Sequence, residues 1–205
     1  MTVPTYDSQG LLHRRSHLSL LAPAAPPSET DTIFYFAGRP VATLRLAPSS
    51  STLTYLTTDH LGTPILATAE TGALIWQGGF EPFGENWNNA SGAGVFLRLP
   101  GQWDQVWESA RLESGLYYNV WRWYGWEVGR YTSPDPLGLT SSVDLYGLAH
   151  SNPLFFVDAD GRLPVPPGFV VMFLFSGKGS ANPRPKPGLA MGALLGKLPD
   201  CEGMR

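Results

Sequence analysis

Charge is scarce in this sequence. Asp, Glu, Lys and Arg make up 15% of its 205 residues, and the net charge is −3. There is no basic field of the kind that holds a phosphate backbone, so no nucleic acid is expected to bind this segment. Cysteine is nearly absent. Cys201 alone can form neither an intrachain disulfide nor a Cys-rich zinc site. His13, His17 and His150 lack metal-ligand spacing, so no metal and no cofactor are expected. No apolar run approaches the ~20 residues of a membrane helix, and the apolar stretch 168–175 reads as a short buried strand. Arg14 and Arg15 precede Leu18-Ser-Leu-Leu-Ala22 in the outline of a twin-arginine export signal, but Pro23, Pro26 and Pro27 interrupt it. That stretch reads as a turn and a loop, and no signal peptide is assigned.

Glycine (23), proline (19) and aromatic residues (12%, with seven Trp) are abundant. Glycine and proline punctuate turns, and aromatic and β-branched residues fill strands, so the composition predicts an all-β chain of short strands. Ile33–Phe36, Val41–Leu46 and Thr52–Leu56 are rich in strand formers. An acid two residues before a glycine recurs between apolar runs, at Glu70-Thr71-Gly72, Glu113-Ser114-Gly115 and Glu127-Val128-Gly129, with Asp7-Ser8-Gln9-Gly10 as a looser copy. Such a turn needs φ > 0 at the glycine, and strand residues follow each one, so the repeating unit is a hairpin stacked beside similar hairpins. In the aromatic stretch from Leu116 to Tyr131, strand alternation sends Trp121 and Trp123 to one face and Arg122 and Tyr124 to the other. Cross-strand packing is favoured there over an aromatic ligand platform. Three segments follow: a partial repeat with an Ala/Pro-rich linker (1–32), a strand-rich body (33–162) and a variable Pro/Gly-rich tail (163–205). Arg184 and Lys186 make that tail locally basic.

Within the body, Asp59-His-Leu-Gly-Thr63, Phe80-Glu-Pro-Phe-Gly84, Glu113-Ser-Gly-Leu-Tyr-Tyr-Asn119, Gly129-Arg-Tyr-Thr-Ser-Pro-Asp-Pro-Leu-Gly-Leu139, Asp144-Leu-Tyr146 and Asn152-Pro153 follow one another. In content and order they resemble the RHS repeat-associated core of YD-repeat (RHS family) proteins. The resemblance implies stacked YD-type β-hairpins that form the closing segment of a β-cocoon. Such a shell encloses a C-terminal cargo, in many cases a toxin, and the protein is secreted or sits at the cell surface. The implied partners are the chain's own C-terminal segment, an upstream RHS shell, a secretion apparatus and an immunity protein. A complete cocoon needs many more hairpins than this sequence contains, so only the last stretch of a shell is expected here. The cargo, its target and the route of export are not legible.

The resemblance also implies chemistry. In relatives the core cleaves itself with two aspartates, which here match Asp135 and Asp158, and the scissile bond becomes Arg162–Leu163. Two carboxyls that share a proton can divide the work, one activating water and one donating to the carbonyl oxygen. The alternative function is therefore a single-turnover aspartyl autoprotease, the most enzymatic role open to this chain. From the residues alone, Asp135-Pro-Leu-Gly138 is an ordinary turn. The second motif is altered: Ala159 replaces a proline, Arg162 replaces a leucine, and Asp160 adds an acid. Slow or absent cleavage is expected, because Ala159 frees the backbone and Arg162 brings a cation to the carboxyls. His60 reads as a structural hydrogen bonder. Gly177-Lys-Gly-Ser180 lacks the spacing of a phosphate loop.

Overall fold

The computed structural model describes residues 2–7, 11–19, 25–88, 90, 93–104 and 115–167, and the backbone of 169–174 and 192–197. The fold is all-β and antiparallel. Seven strands, β1 (Thr2–Tyr6), β2 (Leu12–His17), β3 (Glu29–Phe36), β4 (Arg39–Ala47), β5 (Ser50–Thr58), β6 (Pro64–Ala69) and β7 (Leu74–Gln77), form one meander in sequence order. The sheet runs through residue 32 without a break, because β3 begins at Glu29 and pairs with β2. A short hairpin, β8 (Gly79–Phe80) with β9 (Asn86–Trp87), follows. A second sheet takes the order β10 (Trp103–Asp104), β11 (Leu116–Asn119), β12 (Arg122–Gly125), β13 (Arg130–Tyr131). In the tail, β14 (Phe169–Leu174) pairs with β15 (Gly192–Lys197). The only helical pieces among the described residues are two 3-10 turns, Gly138–Thr140 and Ala149–Ser151.

Local chemistry accounts for the turns. Gly72 (φ +81) and Gly129 (φ +66) occupy the left-handed region at the β6–β7 and β12–β13 connections, as the acid-x-Gly pattern requires. Gly115 (φ +54) precedes β11, while Glu113, Ser114 and Ser8–Gly10 lie outside the described residues. The β3–β4 loop is the pair Ala37-Gly38, both with positive φ, the two-residue geometry that matches strand twist. The Asp59-His-Leu-Gly-Thr63 turn is built by Asp59, whose Oδ1 accepts from the backbone N–H groups of Leu61, Gly62 and Thr63, each at 2.9 Å. His60 is structural, its Nε2 meeting the carbonyl of Leu154 at 3.1 Å.

Two cores meet at Phe80. The first joins Leu12, Ile33, Leu56, Ala67 and Trp76 of the large sheet to Val95, Phe96, Leu97 and Trp103. The second gathers Leu99, Tyr117, Tyr124, Tyr131 and Leu148 beneath the small sheet. Arg122 and Tyr124 are buried, and Trp123 packs edge-on against Tyr118 with centroids 4.9 Å apart, so this aromatic stretch is cross-strand packing. Trp121 sits in the β11–β12 turn and is exposed. On the other side of the large sheet Phe34, Tyr55 and Leu74 are exposed. Among the described residues, β1 and β7 each have one strand neighbour.

Candidate functional site

The β11–β12 hairpin sets Asn119 opposite Arg122, which sends both side chains to one face. The register of β12 and β13 brings Tyr131 beside Tyr124. Two loops press onto that face. The first carries Asp135, whose backbone donates to the carbonyl of Leu145 (2.8 Å) and whose Oδ1 accepts from the N–H of Leu137 (2.7 Å), an aspartate turn as its sequence suggests. The second runs from Asp158 to Arg162 and is pinched shut by paired backbone bonds between Val157 and Val165, both 2.8 Å.

Arg122 occupies the centre. One terminal nitrogen, Nη2, lies 3.0 Å from Oδ2 of Asp135 and 3.3 Å from Oδ2 of Asp158. Nε donates to the carbonyl of Gly161, and Nη1 donates to that of Leu145 at 3.1 Å. The guanidinium plane covers the Tyr131 ring at 3.6 Å. Asp135, Asp158 and Arg122 are all buried. The Tyr131 hydroxyl donates to Oδ2 of Asp158 (2.8 Å) and accepts from Nδ2 of Asn119 (2.8 Å), which also donates to the Asp158 carbonyl (2.9 Å). Oδ1 of Asp158 accepts from the backbone N–H of Arg162 at 2.9 Å. The structure thus brings Asp135 and Asp158 together, with a guanidinium bridging them.

Burial dominates the acidity of Asp158. Desolvation pushes its carboxyl up to about 6, although the bond from Tyr131, the charge of Arg122 and the N–H of Arg162 all favour the ionised form. Burial also holds the Tyr131 phenol well above its usual range. The sign follows from linkage. Between an unfolded value of 3.8 and a folded value of about 6 the native state keeps a proton that the unfolded chain has lost, so stability falls as pH rises through that window. Asp158→Asn removes this slope. Urea unfolding from pH 4.5 to 7.5 is expected to show the variant gaining on the wild type by about 2 kcal/mol as pH rises. A pH-independent difference contradicts the assignment.

Two expectations about this loop are corrected. The cation beside the carboxyls is Arg122; the guanidinium of Arg162 is held by Asp160, with Nε to Oδ2 at 2.7 Å, and lies 4.9 Å above the Trp121 ring. Nor is the backbone at Ala159 free. It packs directly on Gly101 (φ +87), where an added Cβ would stand 1.9 Å from the Ala159 carbonyl oxygen. Arg122, Tyr131 and Asn119 escaped the sequence reading as site residues. Strand alternation placed Arg122 opposite the tryptophans, and a charged residue on the buried face of an aromatic hairpin was the available signal. Residues 177–180 and Cys201 lie outside the described residues.

An all-β fold with these ordered motifs defines a class, that of RHS and Tc-type toxin proteins, and these are the chain's homologues. It is 36% identical to toxin protein Tse5 of Pseudomonas aeruginosa over 111 residues, which cover 54% of this chain and 8% of that protein. It is 31% identical to double-stranded DNA deaminase toxin A of Burkholderia cenocepacia over 147 residues, 68% of this chain and 10% of the relative. The chain therefore spans about a tenth or less of the length of these relatives. Among solved structures, the TcdB2-TccC3-Cdc42 crystal structure aligns over 78% of this chain and 10% of its own, with a TM-score of 0.46 and 17% identity. No protein-family model matches the chain.

Proposed function

We propose that the sheet-forming body, from β1 through residue 162, is the closing segment of an RHS-type shell that surrounds the polypeptide following it, within a secreted or surface-displayed toxin. One observation carries this reading: a seven-stranded meander with single-partnered edge strands and exposed Phe34, Tyr55 and Leu74 ends in a buried charged cluster that ties down residues 158–162. A sheet of that kind finds its missing strand partners and apolar cover in an adjoining shell. Its partners in this role are an upstream RHS shell and its own C-terminal segment, with a secretion apparatus and an immunity protein acting on the whole assembly. The isolated chain is expected to self-associate in light scattering. Placed behind the shell repeats of a homologous RHS protein, in the position of that protein's own core, it is expected to give a monodisperse product whose segment beyond residue 162 resists protease. A monomeric isolated chain at high concentration, or a protease-sensitive segment in the chimera, contradicts the shell role.

A second reading is favoured by the shared contact of Asp135 and Asp158 with one guanidinium. With the Asp158 carboxyl held near 6, that acid carries a proton it can donate at mildly acidic pH. In that state water adds to the Arg162 carbonyl carbon and the bond to Leu163 breaks, leaving an Arg162 carboxylate and a Leu163 amine. Arg122 favours the doubly ionised pair, so cleavage is expected to be slow, and faster at pH 5.5 than at pH 8. Because Asp160 already holds Arg162, Arg162→Leu is expected to change the rate little. Intact mass spectrometry reads the product. Asp135→Asn and Asp158→Asn should each abolish it, and cleavage surviving both removes the aspartyl mechanism.

A further inference from the structure

We propose that the cleft beside the β8–β9 hairpin binds a cationic, proline-rich peptide segment. The cleft has a volume of about 410 Å³ and is lined by Glu81, Pro82, Phe83, Glu85, Trp87 and Trp126. Its chemistry is unusual for this chain. Three aromatic residues and a proline line the cleft, together with two exposed glutamates, Glu81 and Glu85. Among the described residues no cation pairs with Glu81 or Glu85. Three other acids of the body do have a cation: Asp104 has Arg98, Asp144 has Arg130 and Asp160 has Arg162.

The aromatic walls are held in place before any ligand arrives. The turn is closed by two backbone bonds of 2.8 Å, Glu81 N–H to the Glu85 carbonyl and Gly84 N–H to the Glu81 carbonyl. From below, the buried hydroxyls of Tyr124 and Tyr117 donate to the carbonyls of Phe83 (2.7 Å) and Gly84 (2.9 Å). The Phe83 ring lies against Gly129, where a Cβ would come within 3.3 Å, and the Trp87 ring lies against Gly79, where a Cβ would come within 2.9 Å. Even so, Phe83 remains 39% exposed and Trp87 50% exposed. Fixed, exposed aromatic rings are costly as mere surface and reduce the ordering cost of a bound partner.

The occupant follows from charge and shape. Aromatic faces attract both proline rings and cations, and carboxylates in the lining select Arg or Lys. An extended proline-rich segment presents both groups with little conformational freedom to lose. The sequence contains one such segment, Pro183-Arg184-Pro185-Lys186-Pro187. A neutral apolar peptide would leave the two carboxylates unmatched.

The probe is a synthetic peptide with the sequence of residues 182–188, titrated into the intact chain carrying Arg184→Gln and Lys186→Gln so that its own copy does not compete. Tryptophan fluorescence and calorimetry read binding. Saturable binding is expected, weakened at least about tenfold by Glu81→Gln with Glu85→Gln, by Trp87→Ala, or by Gln in place of the peptide's Arg and Lys, and reduced in high salt. The two Glu sites are exposed, so those variants should fold normally, which circular dichroism checks. Absence of saturable binding, equal binding of the neutral peptide, or choline binding as tightly as the peptide would each overturn the proposal. None of these outcomes bears on the shell role, which the chimera tests separately.

Discussion

Arg122→Met is expected to cost about 3–5 kcal/mol of stability at pH 7.5, the usual penalty for removing one partner of a buried ion pair. Its guanidinium answers four groups at once: the carboxylates of Asp135 and Asp158 and the carbonyls of Gly161 and Leu145. Methionine fills similar volume over the Tyr131 ring but offers no donor, so two buried acids and two carbonyls lose their partner. The loss should be smaller at pH 5, because buried carboxyls without a cation take up protons rather than stay charged. Adding Asp135→Asn and Asp158→Asn to Arg122→Met should recover part of the stability at pH 7.5, since the uncompensated charge is gone. Urea midpoints at the two pH values check all three statements. A loss under about 1 kcal/mol, of the size seen for exposed pairs, would mean that the cluster is not desolvated as described.

Gly101→Ala is expected to destabilise by about 2–5 kcal/mol through two additive costs. A non-glycine residue at φ +87 is strained by about 1–2 kcal/mol. The new Cβ would also collide with backbone, lying 1.9 Å from the oxygen and 2.5 Å from the carbon of the Ala159 carbonyl, and backbone cannot rotate away as a side chain can. Gly72→Ala provides the control. Gly72 has nearly the same φ, +81, with nothing within 4 Å of an added Cβ, so it should show the conformational cost alone. The excess at Gly101 measures the contact with the 158–162 loop. Because that loop carries the N–H of Arg162 to Oδ1 of Asp158, hydrogen exchange at Arg162 should accelerate in the Gly101 variant and not in the Gly72 variant. Equal losses at the two glycines would refute the clamp.

Both predictions concern a part of the molecule that was half legible in advance. Asp135 and Asp158 could be marked through their motifs, and Asp135-Pro-Leu-Gly138 could be read as a turn because the aspartate and the glycine lie within a few residues of each other. Residues 158–162 depart from the local expectation in two respects. Proline's absence at Ala159 suggested freedom, but the restraint comes from Gly101, far away in sequence. Arg162 was adjacent to the acids in sequence, yet its nearer partner is Asp160, while the cation that reaches the acids comes from another strand.

By itself the sequence determined what local physics controls. Acid-x-Gly spacing fixed the turns at Gly72 and Gly129, and aromatic and β-branched content fixed strands. Alternation fixed that Arg122 and Tyr124 would share a face opposite Trp123. Each of these depends on neighbours a few residues apart, where φ, ψ and side-chain direction are set. Tertiary structure alone decided which distant loops cover those faces. Strand alternation states that Arg122 faces inward; only register and connection bring Asp135 and Asp158 to it. They also decide that Glu81, Glu85, Trp87 and Trp126 surround one cleft. Such contacts arise between segments that carry no local signal for one another, and their selection is a property of the packed chain.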